Sequence, residues 1–115
     1  TLFRSHVMMT DSARHLISDK LFFTLSRNPV IFDLWDTPTW KPGHIEISQL
    51  ARLMVIAPCT ANFLGKYANG IADDALTTSA MAYEGEVLLA PAMNTRMWRN
   101  PAVQHRFRFQ FQNSG

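Results

Sequence analysis

Apolar residues along this 115-residue chain alternate between short unbroken runs and stretches with a three-to-four-residue spacing. His6-Val7-Met8-Met9 reads as a short strand, and Thr10-Asp11-Ser12 supplies residue types that cap helices. From Ser12 to Ser26 the positions Leu16, Ile17, Leu21, Phe22 and Leu25 share one stripe, which predicts a single helix with that stripe buried. Asn28-Pro29 stops it, and Val30-Ile31-Phe32 makes a second strand. Residues 33–43 carry Trp35, Pro38, Trp40 and Pro42 with no period, and so predict a long loop of the kind that usually serves a function. Ile45 to Ala51 is a short helical piece leading into the strand Leu53-Met54-Val55-Ile56-Ala57, which Pro58 is expected to end. A helix over Thr60 to Ala68, a turn at Asn69-Gly70 and a helix over Asp73 to Tyr83 follow, the last with two acids at its positive end. Gly85 leads into Val87-Leu88-Leu89-Ala90, a run suited to a strand buried on both faces and stopped by Pro91. Asn100-Pro101 opens a final helix reaching about Asn113.

Strands alternating with helices predict an α/β fold, a three-layer, flavodoxin/Rossmann-like parallel sheet with helices on both faces. The length sets one domain over residues 1–115, with a core hiding roughly two-thirds of the unfolded surface. The chain starts just before a strand and stops where a helix would hand over to another, so it is expected to be incomplete at both ends. Apolar residues at 47% against 17% charged are rich for a small monomer and point to a homo-oligomer.

The net charge of +2, with Arg96, Arg99, Arg106 and Arg108 interleaved among apolar residues, argues for a solvated helix face and against nucleic acid. Cys59 is the lone cysteine, and His6, His15, His44 and His105 lack zinc-site spacing. No disulfide and no metal are expected. No apolar run approaches a bilayer span, and the start lacks a signal-peptide layout, so the expected setting is cytoplasmic, with no membrane partner.

Three sets of polar or small residues fall just beyond strand ends: Thr10 and Ser12, then Thr60, Ala61 and Asn62, then Ala92 and Asn94. The crevice outside the carboxyl ends of parallel strands is where such sheets bind ligands. Two readings are open for each set: helix caps, or hydroxyls and amides that hold a ligand such as a phosphate. Asn94 is either the cap of a short helix entered at Thr95 or a polar group aimed into the crevice. His44 is either a surface residue at a helix start or the proton acceptor of the site. Asp73 and Asp74 read as helix caps rather than paired catalytic carboxylates, and Cys59 as a core or pocket residue. Glycines at 43, 65, 70, 85 and 115 form neither a dinucleotide fingerprint nor a P-loop, which disfavours a dinucleotide or a nucleoside triphosphate but not a mononucleotide held by strand-end hydroxyls.

Three blocks together, Ala57-Pro58-Cys59-Thr60-Ala61-Asn62, Ala68 to Asp74, and Pro91-Ala92-Met93-Asn94-Thr95-Arg96-Met97-Trp98, resemble the flavin-containing cysteine decarboxylases. The last matches the family's P-x-M-N-x-x-M-W signature without departure, and His44-Ile45-Glu46 is similar to its active-site histidine segment. The resemblance is nearest to the branch serving coenzyme A biosynthesis. It implies FMN as cofactor and decarboxylation of phosphopantothenoylcysteine to phosphopantetheine, the flavin oxidising the thiol to a thioaldehyde and later returning its electrons. Carried over by residue, it implies His44 and Asn94 as catalytic groups, Asn94 and Met93 at the substrate, and Thr10, Ser12, Thr60, Ala61, Asn62 and Ala92 around FMN. It further implies a first strand and a C-terminal substrate flap lying outside these residues, a trimer or dodecamer, and a fused phosphopantothenate-cysteine ligase domain. Phe63 stands where the family's first signature ends in Thr, and no cysteine here matches the flap's proton donor. A peptidyl-cysteine decarboxylase, a flavin prenyltransferase and a non-enzymatic regulatory flavoprotein are the competing readings. The intact Pro91 to Trp98 block argues against the prenyltransferase, and the lack of an acidic tail against the regulator.

Overall fold

In the computed structural model, residues 4–32 and 50–112 are described. The order along them is α1 (Asp11–Leu16), α2 (Asp19–Ser26), β1 (Leu53–Cys59), α3 (Ala61–Ala68), α4 (Ala75–Ala82), β2 (Glu86–Pro91), α5 (Thr95–Trp98) and α6 (Pro101–Gln112). β1 and β2 form a parallel ladder with Leu53 opposite Glu86, Val55 opposite Leu88 and Ile56 opposite Leu89. A second parallel contact joins Met8 to Ile31, through Met9 N–H to the Ile31 carbonyl at 2.9 Å and Ile31 N–H to the Val7 carbonyl at 3.0 Å. The expected α/β class with parallel strands is present. The two predicted N-terminal strands are reduced to this bridge.

The core lies on one side of the ladder. Ile56 and Cys59 from β1, Phe63 and Leu64 from α3 and Ala80 from α4 are buried together, with Met54, Val87, Leu89, Val103 and Phe107 packed around them. Alternation along a strand explains the division: Met54 and Ile56 point inward while Leu53, Val55 and Leu88 point out and are about half exposed. The double-sided burial expected of the β2 run is therefore absent among the described residues. An apolar run records what both faces tolerate, not what covers them.

Two further expectations are corrected. The single helix over Ser12 to Ser26 is two, because Ile17 turns extended (φ −138°, ψ 139°) and Ser18 restarts the helix by accepting from Lys20 N–H at 3.3 Å. Its stripe is not buried either: Leu16 is 83% and Leu25 73% exposed, and only Phe22 is half-buried. Nor does Pro58 end β1. The ladder register is irregular between Ile56 and Cys59, so the missing proline N–H falls where no partner is demanded, and pairing resumes with Cys59 opposite Pro91.

Local chemistry sets the other boundaries. Thr60 caps α3 by accepting from Phe63 N–H at 3.2 Å. Asp74 caps α4 in a reciprocal box, accepting from Thr77 N–H at 2.7 Å, while the Thr77 hydroxyl accepts from Asp74 N–H at 3.1 Å. Gly70, at φ +72°, makes the turn that leaves α3. A Cβ at Gly85 would run into the Tyr83 ring, whose hydroxyl reaches back to the Ala51 carbonyl at 3.0 Å. The helix predicted from Asp73 thus begins two residues later, since both acids lie outside its first turn.

Leu64 is 1% exposed at the centre of this packing. Leu64→Ala is expected to lower unfolding free energy by about 2–5 kcal/mol, read as a shift of the urea midpoint at constant slope.

Candidate functional site

The carboxyl ends of β1 and β2 lie side by side because the ladder is parallel. Ala92 N–H donates to the Cys59 carbonyl at 3.1 Å, which ties the first residue beyond β2 to the last of β1. Thr60, the residue after β1, and Asn94, three residues past β2, consequently leave from the same edge.

A cleft of about 620 Å³ opens next to this edge, and Thr10, Ser12, Thr60 and Asn62 line it together. That volume lies within the roughly 300–1,000 Å³ of cofactor and small-molecule sites. The strand-end sets that follow Met9 and β1 are thus brought to one place. Ala61 faces a separate shallow groove with Leu64, Ala102 and Arg106. Ala92, Met93 and Asn94 are not on the cleft wall among the described residues; they sit at the adjoining strand exit. His44 lies outside the described residues, as do the loop over 33–43 and most of the predicted helical piece that follows it.

The structure shows the cap in each case, and the capping bond leaves donors over on the hydroxyls and the amide. Thr10 Oγ1 accepts from Ala13 N–H at 3.2 Å and Thr60 Oγ1 from Phe63 N–H at 3.2 Å, which uses a lone pair and leaves each O–H as a donor. Asn94 Oδ1 accepts from Arg96 N–H at 2.8 Å as the cap of α5. With the carbonyl end fixed, the Nδ2 donors face away, and among the described residues they have no protein acceptor. The far end of the same segment is anchored. Trp98 packs edge-on to Phe107 of α6 at 5.1 Å and 72°, and Gln104 Nε2 donates to the Trp98 carbonyl at 2.6 Å. The signature's tryptophan therefore fixes the short helix that its asparagine caps.

Charges around the cleft are largely internal. Lys66 Nζ meets both oxygens of Asp73 at 3.1 and 2.8 Å, an exposed pair. This hydrogen bond holds the Asp73 carboxyl below, and the Lys66 ammonium above, their ordinary ranges. Asp74 is engaged by Thr77. Asp74 is thus the helix cap the sequence predicted, whereas Asp73, expected to cap as well, pairs with Lys66 instead. Cys59 is fully buried, and desolvation pushes its thiol up to about 11, so it is a neutral core residue at physiological pH. Arg14, Phe32 and Lys66 also line the cleft and were not singled out by the sequence. The available signal was spacing, since Arg14 follows Thr10 by four residues and so shares its face of α1. Among the described residues no group of three or more His, Cys, Asp or Glu is placed to hold a metal, and no helix is long and apolar enough to cross a membrane.

Known proteins resemble this arrangement closely. The sequence profile of the family described as Flavoprotein matches residues 2–109. The coenzyme A biosynthesis bifunctional protein CoaBC of Bacillus subtilis (strain 168) is 42% identical over 108 residues, covering 93% of this chain and 27% of the relative. The chain thus spans about a quarter of the length of that relative. Among solved structures, the FMN-dependent cysteine decarboxylase SpaF superposes with a TM-score of 0.87 at 36% identity, covering 96% of this chain and 62% of that one. A PPC decarboxylase mutant complexed with pantothenoylaminoethenethiol gives 0.73 at 31% identity, covering 91% and 60%.

The Cys59 environment has a measurable sign. A thiol raised in the folded state adds stability that is complete below its ordinary value of 9.0 and is lost as pH rises towards about 11. Stability should therefore fall over that window in the native sequence and fall less in Cys59→Ala, as followed by urea midpoints; iodoacetamide at pH 8 should label Cys59 only after unfolding. The exposed Lys66–Asp73 pair should behave as a screened contact. Any midpoint difference between wild type and Asp73→Asn should shrink at about 1 M salt, where the screening length is about 3 Å.

Proposed function

Because the chain belongs to the Flavoprotein family, we propose that it is the FMN-binding decarboxylase part of a coenzyme A biosynthesis protein, acting on phosphopantothenoylcysteine to give phosphopantetheine and carbon dioxide. The observation that carries this reading is the intact Pro91 to Trp98 block, with Asn94 Oδ1 fixed by Arg96 N–H and its Nδ2 donors unengaged among the described residues. An amide so held can orient a carboxylate without the charge pairing that would stabilise the ground state against loss of carbon dioxide.

The residues present suit a flavin mononucleotide. The cleft is of cofactor size, and the O–H donors of Thr10 and Thr60 stand on its wall with Ser12 and Asn62. In this reading those four would hold the group, while Ala61, which faces the separate groove, and Ala92, at the β2 exit, lie off the cleft wall. The bound flavin supplies a two-electron oxidation at the substrate cysteine and its reversal after carbon dioxide leaves. Asn94, with Met93 beside it, positions the substrate carboxylate. His44 is assigned as the proton acceptor from its place in the sequence. A homo-oligomer, a cytoplasmic setting and a fused ligase domain belong to the same proposal, the last supported by the bifunctional relative.

A second reading has one observation in its favour. The peptidyl-cysteine decarboxylase EpiD superposes as well as the PPC decarboxylase does, at TM-scores of 0.74 and 0.73, which supports cysteine decarboxylation on a peptide. The two differ in substrate and not in the chemistry assigned to these residues.

The test is carbon dioxide release by the full chain loaded with FMN, offered either phosphopantothenoylcysteine or a peptide ending in cysteine. Turnover of the first alone is expected. His44→Asn and Asn94→Asp should each reduce it at least about a hundredfold, the scale of lost acid–base or orienting groups. Full activity in both variants would remove the assigned roles, and turnover of the peptide alone would replace the first reading by the second.

A further inference from the structure

Arg14 is an exposed residue of α1 whose side chain lines the cleft beside Thr10, Thr60 and Asn62. Its guanidinium carbon lies 4.1 Å from the centroid of the Phe32 ring, which lines the same cleft. An aromatic ring on one face of a guanidinium restrains the side chain while leaving the N–H donors in its plane open. The other cation on the wall, Lys66, is bonded to both oxygens of Asp73, and Asp74 is engaged by Thr77. Asp11 also borders the cleft, yet no ion pair joins it to Arg14, which has no carboxylate partner among the described residues.

A charged, planar donor with no carboxylate partner among the described residues, restrained by a ring and set beside two threonine hydroxyls that retain their protons, matches one ligand chemistry. Resting on the FMN-site reading above, we infer that Arg14 is the charged anchor for a phosphate monoester bound in this cleft. A guanidinium can engage two phosphate oxygens at once, and the Thr10 and Thr60 hydroxyls can donate to what remains. Two molecules of the proposed reaction carry such a group, the flavin mononucleotide and the substrate, and binding measurements separate them.

Fluorescence titration of the full chain with FMN and with riboflavin compares the same ring system with and without the phosphate. If Arg14 anchors the cofactor, Arg14→Gln raises the Kd for FMN about tenfold, the scale of one charge-assisted hydrogen bond, and leaves that for riboflavin unchanged. Arg14→Lys recovers part of the loss, and Phe32→Leu, which keeps the charge but removes the ring, falls between. If Arg14 anchors the substrate, both flavin titrations are unaltered and the KM for phosphopantothenoylcysteine rises about tenfold, with that for pantothenoylcysteine unchanged. The inference is overturned if Arg14→Gln keeps the wild-type preference for phosphorylated over unphosphorylated ligand in both arms, or if it weakens FMN and riboflavin equally. A wild-type chain that binds neither flavin overturns the cofactor reading itself and the inference with it.

Discussion

The parallel ladder between β1 and β2 is the constraint from which the rest follows. Its register puts Met54 opposite Val87 and Ile56 opposite Leu89, so four inward side chains form one apolar surface on which α3, α4 and α6 can settle. The same parallel sense sends both strands out at one edge. An antiparallel pair with the same inward residues would bury a similar core and place Thr60 and Asn94 at opposite ends of the sheet.

Capping then converts that edge into a site. Three of the residues that start helices here, Thr10, Thr60 and Asn94, each satisfy a backbone N–H with one oxygen and keep donors in reserve. Fold and chemistry draw on different atoms of the same side chain. This is why residue types that look like ordinary helix starts also suit a ligand crevice.

The interior of the chain was the most legible part of the sequence. Leu53 to Ala57 and the Val87 run declared themselves as strands, and the helix starts were legible to within a residue at Thr60 and two residues at Asp73, because caps and continuous apolar runs are local signals. What misled was periodicity without context. The stripe from Leu16 to Leu25 has helical spacing, but spacing does not register that Ile17 goes extended before Ser18 restarts the helix in a compatible phase. Proline as a strand terminator failed at Pro58 because the rule counts hydrogen bonds lost and cannot know where the partner strand makes none. In the site, the hydroxyls of Thr10 and Thr60 were readable from their positions after strands. Arg14 and Phe32 were not, since their meeting depends on how the Met8 to Ile31 bridge orients the segments that follow.

The bond from Ala92 N–H to the Cys59 carbonyl has a mechanical consequence. It adds a backbone rung just past Pro91, so the hydroxyl-bearing rim at Thr60 and the amide-bearing rim at Asn94 start from one hydrogen-bonded exit. Evolution can retune what either rim recognises by exchanging side chains, whereas lengthening a strand by even one residue would shear the two rims apart.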